Sequence, residues 1–482
     1  MIANLPPHVE YKDSGVEWLG SVPAHWQCKP HRALFREIKD QGHIEEPLLS
    51  VTISRGVIPQ EDLLKSTSKK DSSNLDKSKY KLVQPGDVAY NKMRAWQGAA
   101  GASCHRGIVS PAYIVQRLRG DGESQYFHHL FRTPGFAKEA ERWSYGITSD
   151  QWSLRPEHFK MIYSPVPPPE EQAAIVRFFA EADRRINRLI RNKRRLIELL
   201  NEQKQAIITQ AVTRGLDPSV PMKASGVDMI GDIPEHWSAL RVRHLVHRID
   251  QGISPQAENR LADEPGTWGV LKSGCVNRGV FRAEQHKRLP DAVVFDEHLA
   301  IHPGDVLVSR ACGSADLVGS VGLVTEHPYR LILSDKTFRL QLRQACLNEF
   351  FVAAMNSLVF RQQVRLAISG AEGLANNLPL SELRDLVLPC PPVDEALHIA
   401  KSLSKRLVHI ESTSERLQRE LQLLREYRTR LISDVVTGKL DVRGAAADLP
   451  DPADIEPEPA DALDDDADLD AAEEHLEEEI AP

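Results

Sequence analysis

Histidines, cysteines and paired acidic residues are the side chains here that could ligate metals, move protons or act as nucleophiles, yet none recurs at a spacing that commits it to such chemistry. The six cysteines (Cys28, Cys104, Cys275, Cys312, Cys346, Cys390) include no Cys-x-x-Cys pair and no histidine at zinc-ligand spacing, so they read as reduced thiols and no metal is expected in this chain. Glu10-Tyr11-Lys12 imitates the acidic-x-Lys end of a nuclease site. No acidic residue precedes it, however, and metal-assisted cleavage needs at least two carboxylates on the ion. Asp87 and Asp305 each sit in Pro-Gly-Asp-Val, which reads as a turn whose Asp closes onto the local backbone. His25 and His236 each lie beside a Trp shortly after a Pro and are read as packing or hydrogen-bonding groups. A G-x-x-x-x-G-K-[ST] phosphate loop, H-E-x-x-H, G-x-S-x-G, a dinucleotide Gly turn and the N-P-P-[YF] or D-P-P-[YW] tetrapeptide of adenine methyltransferases are all missing. The sequence therefore predicts a binding role without a catalytic centre.

What must position any binding side chains is a duplicated frame. Ser14 to Trp26 (SGVEWLGSVPAHW) returns as Ser225 to Trp237 (SGVDMIGDIPEHW), and QPGDV at Gln84 returns as HPGDV at His302. SPVPPPEEQ from Ser164 is echoed by LPCPPVDEA from Leu388, and LLNEQKQAIITQAVTRGLD from Leu199 by LLREYRTRLISDVVTGKLD from Leu423. Four collinear matches make this an internal duplication. Each copy begins with a mixed segment of short strand-like runs broken by Gly and Pro, as in a compact α/β module. Each then meets a Pro cluster followed by acidic residues, the signature of a helix start. Beyond it, apolar residues recur at alternating four and three spacing: Ile175, Phe179, Ala182, Ile186, Leu189, Leu196, Leu200 and Ile207, then Ile399, Leu403, Ile410, Leu417, Leu424, Tyr427 and Leu431. These are heptad seams, interrupted by Lys193, Gln203, Arg406 and Glu420. Each helix should run roughly 44 residues, or ~65 Å at the α-helical rise.

The net charge of −8 sums two unlike regions. Asp448 to Pro482 holds 16 acidic residues and no Lys or Arg, which leaves 52 acidic against 60 basic residues elsewhere, a body of about +8. Such a body is compatible with nucleic acid, while the tail cannot bury enough apolar surface to fold and is expected to be disordered. The first residues lack a signal-peptide pattern and no apolar run is long enough to span a bilayer, so a cytoplasmic location is expected.

The W-x-G-x-[IV]-P-x-H-W type opening, the P-G-D-[IV] turn, the P-x-P-P-x-x-E-Q helix entry and the L-[IL]-x-x-x-V-T-G-K-[IL]-D exit resemble the specificity subunit of type I restriction-modification systems, up to about Val442. Two departures occur: Ala396 stands where Gln is usual at the second helix entry, and Arg214-Gly215 swaps the Gly-Lys order of the first exit. The resemblance implies an α+β chain of two target-recognition α/β domains joined by two long antiparallel coiled-coil helices, with an internal pseudo-two-fold duplication and a disordered acidic C-terminal tail. The segments are 1–165 and 215–389 for the recognition domains, 166–214 and 390–440 for the helices, and 441–482 for the tail. It further implies a non-catalytic subunit that binds double-stranded DNA at an asymmetric bipartite site and recruits two methyltransferase subunits and restriction subunits. S-adenosylmethionine, ATP and Mg2+ would then belong to those partners, with no cofactor in this chain. A coiled-coil scaffold with two protein-binding modules is the alternative, and a fused modification enzyme a lesser one.

On that reading the base-reading candidates are loop residues with hydrogen-bonding side chains near glycines. They are Lys92, Arg94, Gln97, Tyr145, Thr148, Ser149 and Gln151 in the first copy, with Ser144 beside them. In the second they are Lys272, Ser273, Ser309, Arg310, Ser314, Asn376 and Asn377. The run DRRINRLIRNKRRL holds seven basic residues between Arg184 and Arg195; Arg184, Arg188, Arg191 and Arg195 share roughly one helix face and are the candidate phosphate contacts.

Overall fold

The structure is a computed structural model of the chain and describes residues 5–66, 76–146, 152–368 and 376–450. It is a mixed helix and strand protein with two long helices, Pro169–Arg214 of 46 residues and Val393–Val436 of 44. The chain separates into two compact units, Met1–Arg195 with Leu417–Pro482, and Leu196–Arg416.

In the first unit a short antiparallel pair, Tyr11–Asp13 with Ser21–Pro23, carries the opening motif. Gln27–Pro30 then pairs with Tyr163–Val166, the strand that leads directly into the first long helix. Between them lies a four-stranded antiparallel sheet in the order Phe35–Ile38, Tyr113–Leu118, Val88–Asn91, Ala100–Ala102. The second unit repeats the plan. Met222–Ala224 pairs with Asp232–Pro234 and Ser238–Arg241 with Val387–Cys390. Its four-stranded sheet runs Val246–Gln251, Thr337–Leu342, Val306–Ser309, Val321–Leu323.

The strand after each Pro-Gly-Asp turn is buried at every position. Successive strand residues point to opposite faces, so both faces must be covered. They are: Val88 and Tyr90 enter a core with Phe127 and Phe131, while Ala89 enters another with Leu49, Val51 and Val57. Likewise Val306 and Val308 pack with Phe350 and Met355, and Leu307 with Val270 and Ile332. The turn aspartates close as expected from sequence, Asp87 Oδ2 accepting from the Gln84 amide at 2.9 Å and Asp305 Oδ2 from the His302 amide at 2.9 Å. Arg117 adds a two-pronged ion pair to Asp87, and Arg339 reaches Asp305 at 3.4 Å.

The long helices meet inside each unit. In the first, Arg428 bonds Asp183 at 2.8 Å and Lys193 pairs with Glu420; in the second, Lys204 bonds Glu411 at 2.6 Å. Two seam interruptions, Lys193 and Glu420, thus neutralise one another. The residue numbers rise in one helix as they fall in the other, so the pairing is antiparallel in both units. Ile175, Phe179, Ile186, Ile399, Leu403, Ile410, Leu417 and Leu431 are buried as the heptads predict, and Leu200, Ile207 and Leu424 half-buried.

The seam departs from the heptads after Ile186. Leu189 and Leu196 are exposed, as is Tyr427, whereas Ile190, Ile208 and Leu421 are buried. The step from Ile186 is four residues rather than three. A 3.6-residue helix drifts against a strict 3.5 repeat, and an extra four-residue step brings the stripe back onto its partner. Gln203 and Arg406, read as seam interruptions, are exposed as well.

Each helix entry is held by the opening motif. His25 Nε2 lies 2.7 Å from Glu171 in the first turn of one helix, and His236 Nε2 lies 2.7 Å from Glu395 in the first turn of the other. Gln172 accepts from the Glu123 amide and donates to the Pro167 carbonyl; Ala396, its counterpart, can do neither.

The exits turn on glycines with φ of +74° at Gly215 and +78° at Gly438, the left-handed C-terminal stop of a helix. Gly215 rests on Trp237 and Gly438 on Trp26 and Pro23. A side chain at Gly438 would overlap the Pro23 ring, while one at Gly215 would meet its nearest neighbour at 3.3 Å. Gly215→Ala is therefore expected to cost only the left-handed penalty of roughly 1–2 kcal/mol, and Gly438→Ala that amount plus overpacking of about 1–3 kcal/mol. Hydrogen exchange resolved by peptide at the two helix exits tests this; equal loss of protection in the two variants would contradict the packing.

The chain after the second helix is ordered farther than its composition suggests. A short helix, Arg443–Ala446, follows Asp441, whose amide donates to the Pro6 carbonyl at 2.8 Å, and Val442 and Ala446 are buried in the first unit's core. The expected disorder from 441 is thus corrected for 441–450, because these residues carry enough apolar surface to dock; residues 451–482 lie outside the described ones. No helix among the described residues is long and apolar enough to cross a membrane.

Candidate nucleic-acid interface

In both units the residue following the fully buried strand is fixed by the same device. The Leu154 amide donates to the Lys92 carbonyl at 2.8 Å, and the Leu378 amide donates to the Arg310 carbonyl at 2.9 Å. Two stretches far apart in sequence are thereby drawn to one edge of each sheet.

In the first unit this joins the Lys92 to Gln97 turn to the segment around Tyr145. Arg94 Nη1 donates to Gln97 Oε1 at 3.1 Å, Trp96 meets Trp152 edge-on at 5.4 Å, and Tyr145 bridges to Ser153. Helix Pro134–Arg142 packs against the Ala95–Gln97 turn from behind. Lys92, Arg94 and Gln97 are half-buried, and Tyr145 is 57% exposed. Ser144 is buried and its hydroxyl donates to the Ala140 carbonyl, so it is structural. Thr148, Ser149 and Gln151 lie outside the described residues.

In the second unit Ala311–Cys312 pairs with Asn376–Asn377, and Asn376 Nδ2 donates to the Gly313 carbonyl at 3.1 Å. The Ser273–Cys275 turn, which follows Lys272, packs against the same strand ends. Lys272, Ser273, Arg310, Asn376 and Asn377 are half-buried and Ser314 exposed, so the structure gathers these six. Arg310 is braced: Nη1 donates to the Asp335 carbonyl at 3.0 Å and its guanidinium lies 5.7 Å from the Phe338 ring centre. Ser309 is a correction. It is fully buried, because it is the last residue of a strand covered on both faces, and it cannot reach a ligand.

Of the helix arginines, Arg184, Arg188 and Arg195 are exposed and Arg191 is half-buried. Arg184 gives Nε and Nη2 to Glu181, which also takes Arg185. Those arginines hold the Glu181 carboxyl below its usual range against the opposing effect of burial.

One grouping has no signature in the sequence. His8, His25 and Glu171 each offer a ligand atom within 4.8 Å of the others, although they lie 17 and 146 residues apart. Only the fold brings them together.

No family model matches the chain. The putative type I restriction enzyme MjaX specificity subunit of Methanocaldococcus jannaschii is 22% identical over 453 residues, 88% of this chain and 96% of that one. The type I restriction enzyme EcoEI specificity subunit of Escherichia coli is 24% identical over 224 residues, 46% of this chain but only 37% of that subunit's length. Among solved structures, a chain described under "Structural basis underlying complex assembly and conformational transition of the type I R-M system" aligns with a TM-score of 0.61 at 16% identity, covering 87% of this chain and 99% of that one. That likeness establishes the fold. The curated homologues of this chain are thus type I restriction enzyme specificity subunits.

Proposed function

We propose that the chain is the DNA sequence-specificity subunit of a type I restriction-modification complex. The observation that carries this is the pair of polar loop clusters at the same strand end in two units of one plan. Their frames match, while their side chains differ: Lys92, Arg94, Gln97 and Tyr145 against Lys272, Ser273, Arg310, Ser314, Asn376 and Asn377. Two unlike reading surfaces on one chain suit an asymmetric, bipartite target. The paired long helices serve as the spacer between the reading domains, and the duplicated frame offers near-equivalent surfaces to two methyltransferase subunits. Restriction subunits complete the complex, and S-adenosylmethionine, ATP and Mg2+ are bound and used by the partner subunits. This chain selects the site and performs none of the chemistry.

Methylation sequencing of host DNA with and without this gene tests the reading. Loss of one bipartite adenine-methylation motif is expected, and an unchanged methylome in an otherwise active system would overturn it.

Phosphate contact along the first helix is a separate expectation. Each lost phosphate contact lowers the slope of log affinity against log salt by about 0.9. Arg188→Gln should flatten the slope by that order with target preference intact. Arg184→Gln should do less, since two of its donors already serve Glu181. A shifted preference at constant slope would contradict the assignment.

A further inference from the structure

Among the described residues, the first unit contains a cluster that its counterpart does not. The shared part is the histidine–glutamate pair at the helix entry, His25–Glu171 and His236–Glu395, at 2.7 Å in both. The second unit needs nothing more: Glu395 Oε2 also accepts Trp237 Nε1 at 3.0 Å. In the first unit Trp26 makes no such bond, and a second histidine approaches instead. His8 Nε2 stands 3.7 Å from Glu171 Oε1, and its other ring nitrogen, Nδ1, faces Asp441 Oδ2 at 3.8 Å. Six residues before the shared Ser-Gly-Val, where the first unit has His8, the second has Ser219.

His8 is 95% or more out of solvent, and its Nδ1 has no hydrogen-bond partner within range. With Nδ1 turned toward Asp441, Nε2 is the ring nitrogen that faces Glu171, and one donor atom from each of His8, His25 and Glu171 lies within 4.8 Å of the others. We infer that His8, His25 and Glu171 form a binding site for one divalent transition-metal ion of the zinc class, with Asp441 orienting His8 from behind. Two imidazoles and a carboxylate are a borderline donor set that favours zinc or cobalt over magnesium or calcium. A carboxylate beside the second nitrogen of a ligating histidine is the usual outer partner of such sites. Zinc bonds of about 2.0–2.2 Å need the three donor atoms to settle only modestly from their present separations.

Charge also suits a cation. Glu171 and Asp441 bring two carboxylates to the cluster, and Arg443 pairs with Asp441 at 2.7 Å. His25 is the half-exposed member, with 40% of its side chain accessible, and supplies the entry path. The ion would tie four stretches together: the N-terminal segment, the opening motif, the first helix entry and, through Asp441, the exit of the second helix.

The test uses the full chain without a histidine tag, stripped with chelator and titrated with zinc and with cobalt, whose visible spectrum reports its ligands. One equivalent is expected to bind and to raise the thermal midpoint. His8→Ser, which installs the residue of the second unit, should weaken binding on the order of 100-fold and Asp441→Asn roughly 10-fold, while His236→Gln leaves it unchanged. His8→Ser should keep the native circular dichroism, because Ser219 serves the same frame. Absence of stoichiometric metal from the folded wild-type chain would overturn the proposal, as would equal affinity in His8→Ser.

Discussion

Trp26→Ala and Trp237→Ala are each expected to cost roughly 3–5 kcal/mol, the usual range for emptying a fully buried indole site. Both rings are 0% exposed, and both sit where a helix exit lands on an opening motif. Trp26 packs in a core with Val435, Val436 and Val442; Trp237 packs with Ile208, Ala211 and Val212. Either cavity therefore loosens a long helix as well as a module. Replacement by Phe separates the two sites. Trp237 Nε1 donates to Glu395, so Trp237→Phe removes a hydrogen bond to a charged group, worth about 1.5–3 kcal/mol. Trp26 Nε1 is buried without a partner, so Trp26→Phe removes a polar group that is poorly served and should cost less. Because unfolding of a two-unit chain is not two-state, the readout is hydrogen exchange resolved by peptide. Protection lost equally in both units from either single Phe variant would contradict this assignment.

Acid is expected to weaken the first unit before the second. Burial pushes His31 down to about 3 and His129 to about 4, and it lowers His128 and His8 as well. Above the unfolded value of about 6.5 both states are neutral, and pH has no effect through these groups. Below it the unfolded chain takes up a proton that the folded chain refuses. Stability is therefore lost as pH falls from 6.5 toward the folded value, by about 1.4 kcal/mol per unit for each such group. For His31 at pH 5 that is roughly 2 kcal/mol. His31 Nε2 is held 2.7 Å from the Ser164 hydroxyl among Phe35, Phe131, Phe136 and Phe159, and the second unit has Val242 in its place, equally buried. His31→Val should reduce the slope of stability against pH between 6.5 and 5 by up to one proton. Hydrogen exchange of the first unit's peptides across that range, corrected for the intrinsic exchange rate at each pH, measures it, and an unchanged slope would refute the role of His31.

Several features were legible before any fold was known because their causes are local. The Pro clusters end one element and permit the next, and acidic first turns suit the helix dipole. The repeated motifs announced two copies of one frame, and the Pro-Gly-Asp turns closed as their residue types dictate. Sequence also located the two candidate loops that follow those turns.

What it could not decide depended on partners distant in the chain. The helix seam changed register after Ile186 because the facing helix, not the repeat itself, selects which residues are covered. Ser309 resembled a polar loop residue, but its strand has cores on both faces. The order of residues 441–446 came from a docking site on the first unit, which no property of an Ala- and Asp-rich segment reveals. Above all, His8, His25, Glu171 and Asp441 have no sequence spacing in common. They meet because the N-terminal segment and the exit of the second helix close on the same helix entry, and only tertiary packing could bring them within reach of one ion.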